Sequence, residues 1–207
     1  MSATTRRNVL AASLAVAAAV PALLPTPALA GIASDTAFLK SMGDQLVAVI
    51  NGPGTQEEKQ VKLQALVDKG LDVEGIARFC LGRFVRLATP QQLATYMKLF
   101  HGVLMRSITG HLGEYKGVSF TVDKSAPGDG GTIVTTTITR PNSAPTKVQW
   151  VINQVNGQPK IEDVIAEGTS MRLTQQSDYA GFIAQNNNNI GALIAAMEKQ
   201  AENQSGG

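Results

Sequence analysis

One cysteine, Cys80, is all that this 207-residue chain carries. It excludes an intramolecular disulfide framework and any metal site built from several thiolates. Histidine is nearly as scarce. His101 and His111 lie ten residues apart, about 80° from sharing a helical face, where a metal pair wants a spacing of three or four. No metal is therefore expected, and no cofactor is assigned. Charged residues make up 16% of the chain against 43% apolar residues, which argues against a disordered or polyelectrolyte chain. An excess of one sign is also missing. There are 18 basic and 16 acidic residues, and the difference is Arg6 and Arg7 in the first thirty, so the remainder balances at 16 and 16. Such a chain lacks the dense basic face that a nucleic-acid partner requires. Long apolar runs are absent as well. Val9 to Leu24 spans 16 residues and is broken at Pro21, whereas a membrane-crossing helix needs roughly 20.

That apolar run fits an export signal over residues 1–30. Arg6 and Arg7 supply the charged start, and Ala28-Leu29-Ala30 is a small-x-small cleavage site. Thr5-Arg6-Arg7-Asn8-Val9-Leu10 resembles a twin-arginine export motif with Val9 in place of Phe, and the general secretory route stays open. No Cys follows the cleavage site, so no lipoprotein is expected. Cleavage after Ala30 implies the periplasm of a Gram-negative cell. There Cys80 has no partner and reads as a small buried hydrophobe.

The remaining chain is helical, then stranded, then helical again. Asp35 is read as opening a helix with an apolar face of Phe38, Leu39, Met42, Leu46, Val49 and Ile50, stopped by Gly52-Pro53-Gly54. Thr55-Gln56-Glu57-Glu58 is a capping box, and its helix runs to Gly70. A short helix from Asp72 turns Val73, Ile76, Phe79 and Cys80 inward. Thr89-Pro90-Gln91-Gln92 places Thr at the N-cap, Pro at the first helical position and Gln three residues after the cap. The helix it opens carries Leu93, Tyr96, Met97, Phe100, Leu104 and Ile108 over roughly 20 residues.

The apolar period then changes from 3.6 to 2. Val118, Phe120 and Val122 form one alternating run, and Val134, Thr136 and Ile138 a second. Val148, Trp150 and Ile152 form a third, and Ile161 with Val164 or Ile165 a fourth. Pro127 to Gly131, Pro141 to Pro145, and Asn156-Gly157 are the turns between them. Tyr179, Phe182 and Ile183 mark one closing helix. Ile190, Leu193, Ile194 and Met197 mark another, after the Asn186–Asn189 run. The expected fold is α+β: a four-stranded antiparallel meander with about six helices, one domain over residues 31–200 and a flexible tail over 201–207.

Catalytic signals are thin, and no catalytic residue is assigned. Gly168-Thr169-Ser170-Met171-Arg172 departs from a nucleophile elbow at its fifth position and lies in a meander, the wrong context. Asp163 and Glu167 could serve as the carboxylates of a small cone-shaped isomerase, which places its general base in an apolar pocket. Arg78, Arg83 and Arg86 form the one dense basic group. They read as a solvated face, or as a contact for phosphate or an acidic docking partner. Between Ile76 and Leu87 apolar residues fall on more than one helical face. They suit either ordinary core or a wall around an apolar ligand.

At this stretch the chain resembles the MlaC and toluene-tolerance family of periplasmic lipid-binding proteins. Three segments carry the resemblance. The first is Ile76 to Arg86, continuing through Thr89-Pro90-Gln91-Gln92 to Phe100 and Leu104. The second is Val148-Gln149-Trp150-Val151. The third is Lys160 to Met171, followed by Thr174 to Tyr179. Two departures stand out: Val85 replaces the family's Trp, and Gln176 stands where a basic residue is usual. Both are read as touching the ligand mouth or docking surface more than the fold. The resemblance implies a sheet with helices packed on it, a deep apolar pocket for acyl chains and no enzyme activity. It implies a soluble carrier that moves phospholipid between the inner and outer membranes. Its expected partners are an inner-membrane ABC transporter complex and an outer-membrane lipid-transfer complex, with transient membrane contact only. A hopanoid-associated branch of the family would substitute a rigid polycyclic lipid.

With that pocket placed between the sheet and the helices from Asp72 and Pro90, the lining candidates are Phe79, Phe84, Val85, Phe100, Leu104, Val134, Ile138, Trp150, Val164 and Met171. Arg78, Arg83 and Arg86 are the candidates for headgroup or partner docking.

Overall fold

A computed structural model describes residues 27–110 and 112–203. The proposed signal up to residue 26, His111 and the last four residues lie outside the described residues. The helices are α1 (Pro27–Asn51), α2 (Gln56–Gly70), α3 (Val73–Leu81), α4 (Pro90–Thr109), α5 (Met171–Gln185) and α6 (Ile190–Asn203). Strands β1 (Ser119–Gly128), β2 (Gly131–Thr139), β3 (Thr146–Val155), β4 (Gln158–Ala166) and β5 (Thr169–Ser170) lie side by side in chain order, each antiparallel to the next. The tail boundary expected at residue 200 falls inside α6.

Both capping boxes form. The Thr55 hydroxyl accepts from the Glu58 N–H and the Glu58 carboxylate accepts from the Thr55 N–H. Thr89 and Gln92 repeat the arrangement ahead of Pro90. Each pair satisfies two N–H groups that the helix leaves without partners. At the far end of α2, Lys160 Nζ donates to the Asp68 and Lys69 carbonyls at 3.1 and 2.6 Å. A cation there meets the negative end of the helix dipole and binds the helix to β4.

Two expectations about elements are corrected. The sheet has a fifth strand, because the chain reverses at Glu167 (φ 52°) and Gly168 (φ 78°) and pairs Ala166 with Thr169. Two successive positive φ values make a hairpin turn whose twist suits the strands, as at Asn156-Gly157. Glu at the first of these positions gives no such signal in sequence. The first helix starts at Pro27, not Asp35. Pro27 suits the first helical position, and Ala28, Leu29 and Ala30 favour helix. Asp35 is thus no cap. It is buried in α1, accepting from Thr132 Oγ1 at 2.6 Å and Gln154 Nε2 at 2.8 Å, which ties the helix to the sheet.

Three apolar clusters hold the molecule together. The largest joins α3, α4, α5 and α6 around Tyr96, Phe84, Ile183 and Leu193. A second sets Leu39 of α1 on Val134, Ile152 and Ile161. A third joins Ile50, Leu63, Leu112 and Val118. α1 therefore covers the β1–β2 half of the sheet. Helices α2, α3 and α5 contact β4, and α2 also packs on α1. The space left between these helices and the sheet is the functional feature of the fold.

Candidate lipid-binding cavity

That space is a cavity of about 680 Å³. Its floor is sheet: Phe120, Trp150, Ile161 and Val164. One wall is α1 and α2, through Leu39, Met42, Gly43, Leu46, Leu63, Leu66 and Val67, with Leu71 just beyond α2. Another is α3 and α4, through Ile76, Cys80, Phe100, Leu104, Ser107 and Ile108, with Tyr115 nearby. α5 closes the ring with Met171, Arg172, Thr174, Gln175 and Asp178.

The floor is fixed by local geometry. Glu162 is the extra residue of a bulge, since Ile161 pairs with Ile152 but Asp163 pairs with Val151. Strand residues normally share a face at a spacing of two. The inserted residue instead lets Ile161 and Val164, three apart, both reach the cavity. Trp150 Nε1 donates to Thr136 Oγ1 at 2.9 Å, and that hydroxyl donates to the Val148 carbonyl at 3.2 Å. The indole thus satisfies its one polar atom and presents its ring edge-on to Phe120 at 6.5 Å.

Of the ten lining candidates, Phe100, Leu104, Trp150, Val164 and Met171 border the cavity. The other five do not. Phe84 and Val85 lie beyond Gly82, which ends α3 at φ 57° and starts a short 3-10 turn over Gly82–Arg86. That break rotates Phe84 and Val85 into the cluster of α3, α4, α5 and α6. Phe79 is half-buried under the Arg172 guanidinium, 4.4 Å from its ring. Val134 is fully buried in the Leu39 cluster, and Ile138 packs against the Ile50 and Leu63 cluster. Both belong to the sheet half that α1 covers. None of the α1 and α2 wall residues is among the ten candidates. Leu39, Met42 and Leu46 stand three and four apart, a stripe that core and cavity wall share.

The two departures at Val85 and Gln176 also change meaning. Val85 packs in the core, and Gln176 Nε2 donates to the Phe79 carbonyl at 2.6 Å, closing the last turn of α3. Both positions serve the fold.

Asp163 is buried and fully engaged. Its carboxylate accepts from Ser170 Oγ (2.5 Å), the Val164 N–H (2.8 Å) and the Arg172 N–H (3.1 Å). Arg172 Nε lies 3.6 Å away. Ser170 in turn caps α5 by accepting from the Leu173 N–H. A base poised in an apolar pocket needs a free oxygen. Asp163 has none and does not line the cavity, and Glu167 is exposed at a hairpin turn. The pair does not form the expected isomerase site. Cys80 lines the cavity and is buried; its Sγ donates to the Arg172 carbonyl at 3.7 Å. Burial, above all, pushes its thiol up to about 12. That value keeps it protonated and unreactive.

The three candidate docking arginines are exposed. Arg78 pairs with Glu74 at 2.8 Å, and Arg83 lies 5.0 Å over the Phe84 ring. His101 Nε2 contacts Asp68 Oδ1 at 2.8 Å and borders a smaller depression of about 320 Å³ with Val73, Glu74 and Met97.

Chemically, most of the cavity lining is apolar, so it suits apolar matter, and water inside it would find few hydrogen-bond partners except at the α5 edge.

Comparisons with known proteins agree with this geometry. Residues 40–199 match the family described as MlaC protein. The toluene tolerance protein ttg2D of Pseudomonas putida is 26% identical over 151 residues, covering 69% of this chain and 70% of that one. The fold matches a solved structure of the phospholipid-binding protein from Ralstonia solanacearum in complex with a phospholipid. The TM-score is 0.72 at 20% identity, covering 83% of this chain and 99% of the other.

Proposed function

This chain belongs to the MlaC family, and from that premise we propose that it is a periplasmic carrier of phospholipid. It holds the acyl chains in the cavity between the sheet and α1–α5, with the headgroup at the edge formed by α5. The observation that carries the reading is the apolar cavity of about 680 Å³. The family assignment and the lipid seen in the Ralstonia solanacearum protein support it.

The energetics of a carrier follow from the competing site. Each buried CH₂ is worth about 0.8 kcal/mol relative to water. Two chains of about 15 such groups would give roughly 24 kcal/mol, above the practical ceiling of about 18–21 kcal/mol. Water is therefore the wrong reference, and the membrane, equally apolar, is the right one. A carrier needs near balance with the bilayer and partners that lower the barrier at each end. We assign those roles to an inner-membrane ABC transporter complex and an outer-membrane lipid-transfer complex. Arg83 and Arg86 are the docking candidates, together with Arg78 once released from Glu74. Residues 1–30 supply the export signal in this reading. No helix among the described residues is long and apolar enough to cross a membrane.

The test is native mass spectrometry of the full chain purified after expression in a periplasm-forming host, followed by lipid extraction. A stoichiometric phospholipid mass is expected. A polycyclic lipid mass would move the ligand to the hopanoid class, and a clean protein mass would overturn the carrier reading.

A further inference from the structure

The polar edge of the cavity comes largely from one helix. Arg172, Thr174, Gln175 and Asp178 of α5 all border it. Thr174 and Asp178 are four residues apart and so share one side of the helix. The Thr174 hydroxyl spends its only hydrogen on the Ser170 carbonyl at 2.9 Å. What it retains is acceptor capacity. Asp178 is exposed and has no hydrogen bond or ion pair among the described residues. A carboxylate is acceptor-only as well. Arg172 is the sole cation bordering the cavity among the described residues. Its charge is already met by Asp163, 3.6 Å from Nε, and by Glu162, 3.5 Å from Nη1. Asp178 is the carboxylate that borders the cavity among the described residues, and it is unpaired, whereas the one bordering guanidinium is already paired from behind.

An anionic headgroup would meet an unpaired carboxylate, Asp178, and no unpaired cation among the described lining residues. A quaternary ammonium brings a positive charge but no N–H. A primary ammonium brings both a charge and three donors, matching the unfilled acceptors of Asp178 and Thr174. We infer that the cavity mouth selects phospholipids with a primary-ammonium headgroup, held between the Asp178 carboxylate and the Thr174 hydroxyl oxygen. This rests on the lipid-carrier reading and names the headgroup class within it.

The experiment is a competition. The full chain, stripped of lipid, is incubated with vesicles holding equal parts of phosphatidylethanolamine, phosphatidylcholine and phosphatidylglycerol with identical acyl chains. The protein is then re-isolated and its bound lipid quantified by class. Phosphatidylethanolamine should be enriched roughly threefold over phosphatidylglycerol, the scale of a partly exposed ion pair, and also enriched over phosphatidylcholine. Asp178→Asn should return the ratio to that of the vesicles, and Thr174→Val should lower the enrichment in part. Lipid bound in vesicle proportions, or an enrichment that survives Asp178→Asn, overturns the headgroup inference alone. No bound lipid of any class overturns the carrier reading and this inference with it.

Discussion

Ser170 donates its hydroxyl hydrogen to Asp163 across 2.5 Å, joining the cap of α5 to β4 just beside the cavity floor. The same carboxylate holds the Arg172 N–H, so one buried group orients the whole edge of the cavity. Removing it leaves Arg172 Nε, already buried without a hydrogen-bond partner, with no opposing charge from Asp163. Asp163→Ala should lower stability by about 3–5 kcal/mol, the scale of a broken buried ion pair. Ser170→Ala should cost about 1 kcal/mol as a lost cap. Urea unfolding of both variants checks the ranking; equal, small losses would contradict it.

Stability should fall in alkali with a defined onset. Cys80 is raised from 9.0 to about 12 and Tyr179 from 10.0 to about 12, both chiefly by burial. Between pH 9 and 12 the unfolded chain loses the thiol proton and the folded chain keeps it. The folded state then binds more protons, so unfolding free energy drops as pH rises, by roughly 1.4 kcal/mol per unit for one group. The contribution is fully present below pH 9. Cys80→Ala should remove the decline between pH 9 and 10, before tyrosine joins. Urea midpoints across that range read it directly.

Gly43 sets the shape of the cavity. A Cβ there would overlap the Phe120 ring. Gly43→Val must push that ring toward the cavity or the helix away from the sheet. Overpacking of this kind costs about 1–3 kcal/mol. Bound lipid phosphorus per protein should drop along with the urea midpoint. A variant with wild-type lipid content would show that Phe120 does not limit the volume.

Removing the ligand should also be visible thermally. Binding only the folded state stabilises it by mass action. For a domain of this size each kcal/mol shifts Tm by about 2–4 °C. Delipidated protein should melt roughly 5–10 °C lower and recover on reloading from vesicles. An unchanged Tm would argue for a cavity that closes when empty.

The starts of α2 and α4 were the most legible part of this chain, because Thr55 with Glu58 and Thr89 with Gln92 satisfy a purely local rule. The meander was legible for the same reason, through its alternating β-branched runs and Asn156-Gly157. The cavity was only half legible. Phe100, Leu104, Trp150, Val164 and Met171 lie on elements whose inner face period and position reveal. Phe84 and Val85 were misplaced because one glycine, Gly82, changes the helix direction between them and Cys80. Val134 and Ile138 were misplaced because nothing local says that α1 will lie over β1 and β2. Contacts between distant segments decide which half of an apolar face becomes core and which becomes cavity.

Strand β1 occupies the long outer edge of the sheet, and such an edge is a template on which another copy can add a strand. Here it is interrupted. Asp123 is the extra residue of a bulge between Val122 and Lys124, and the strand also carries Pro127. The bulge twists the ladder, the lysine adds charge, and the proline withholds a donor. The opposite edge, β5, is only two residues long. In the proposed carrier role the interior empties and refills, and any state that loosens the fold on that cycle would turn open strand edges into sites of polymerisation. The sheet's borders resist that, so repeated cycles of loading and release need not lead to fibrils.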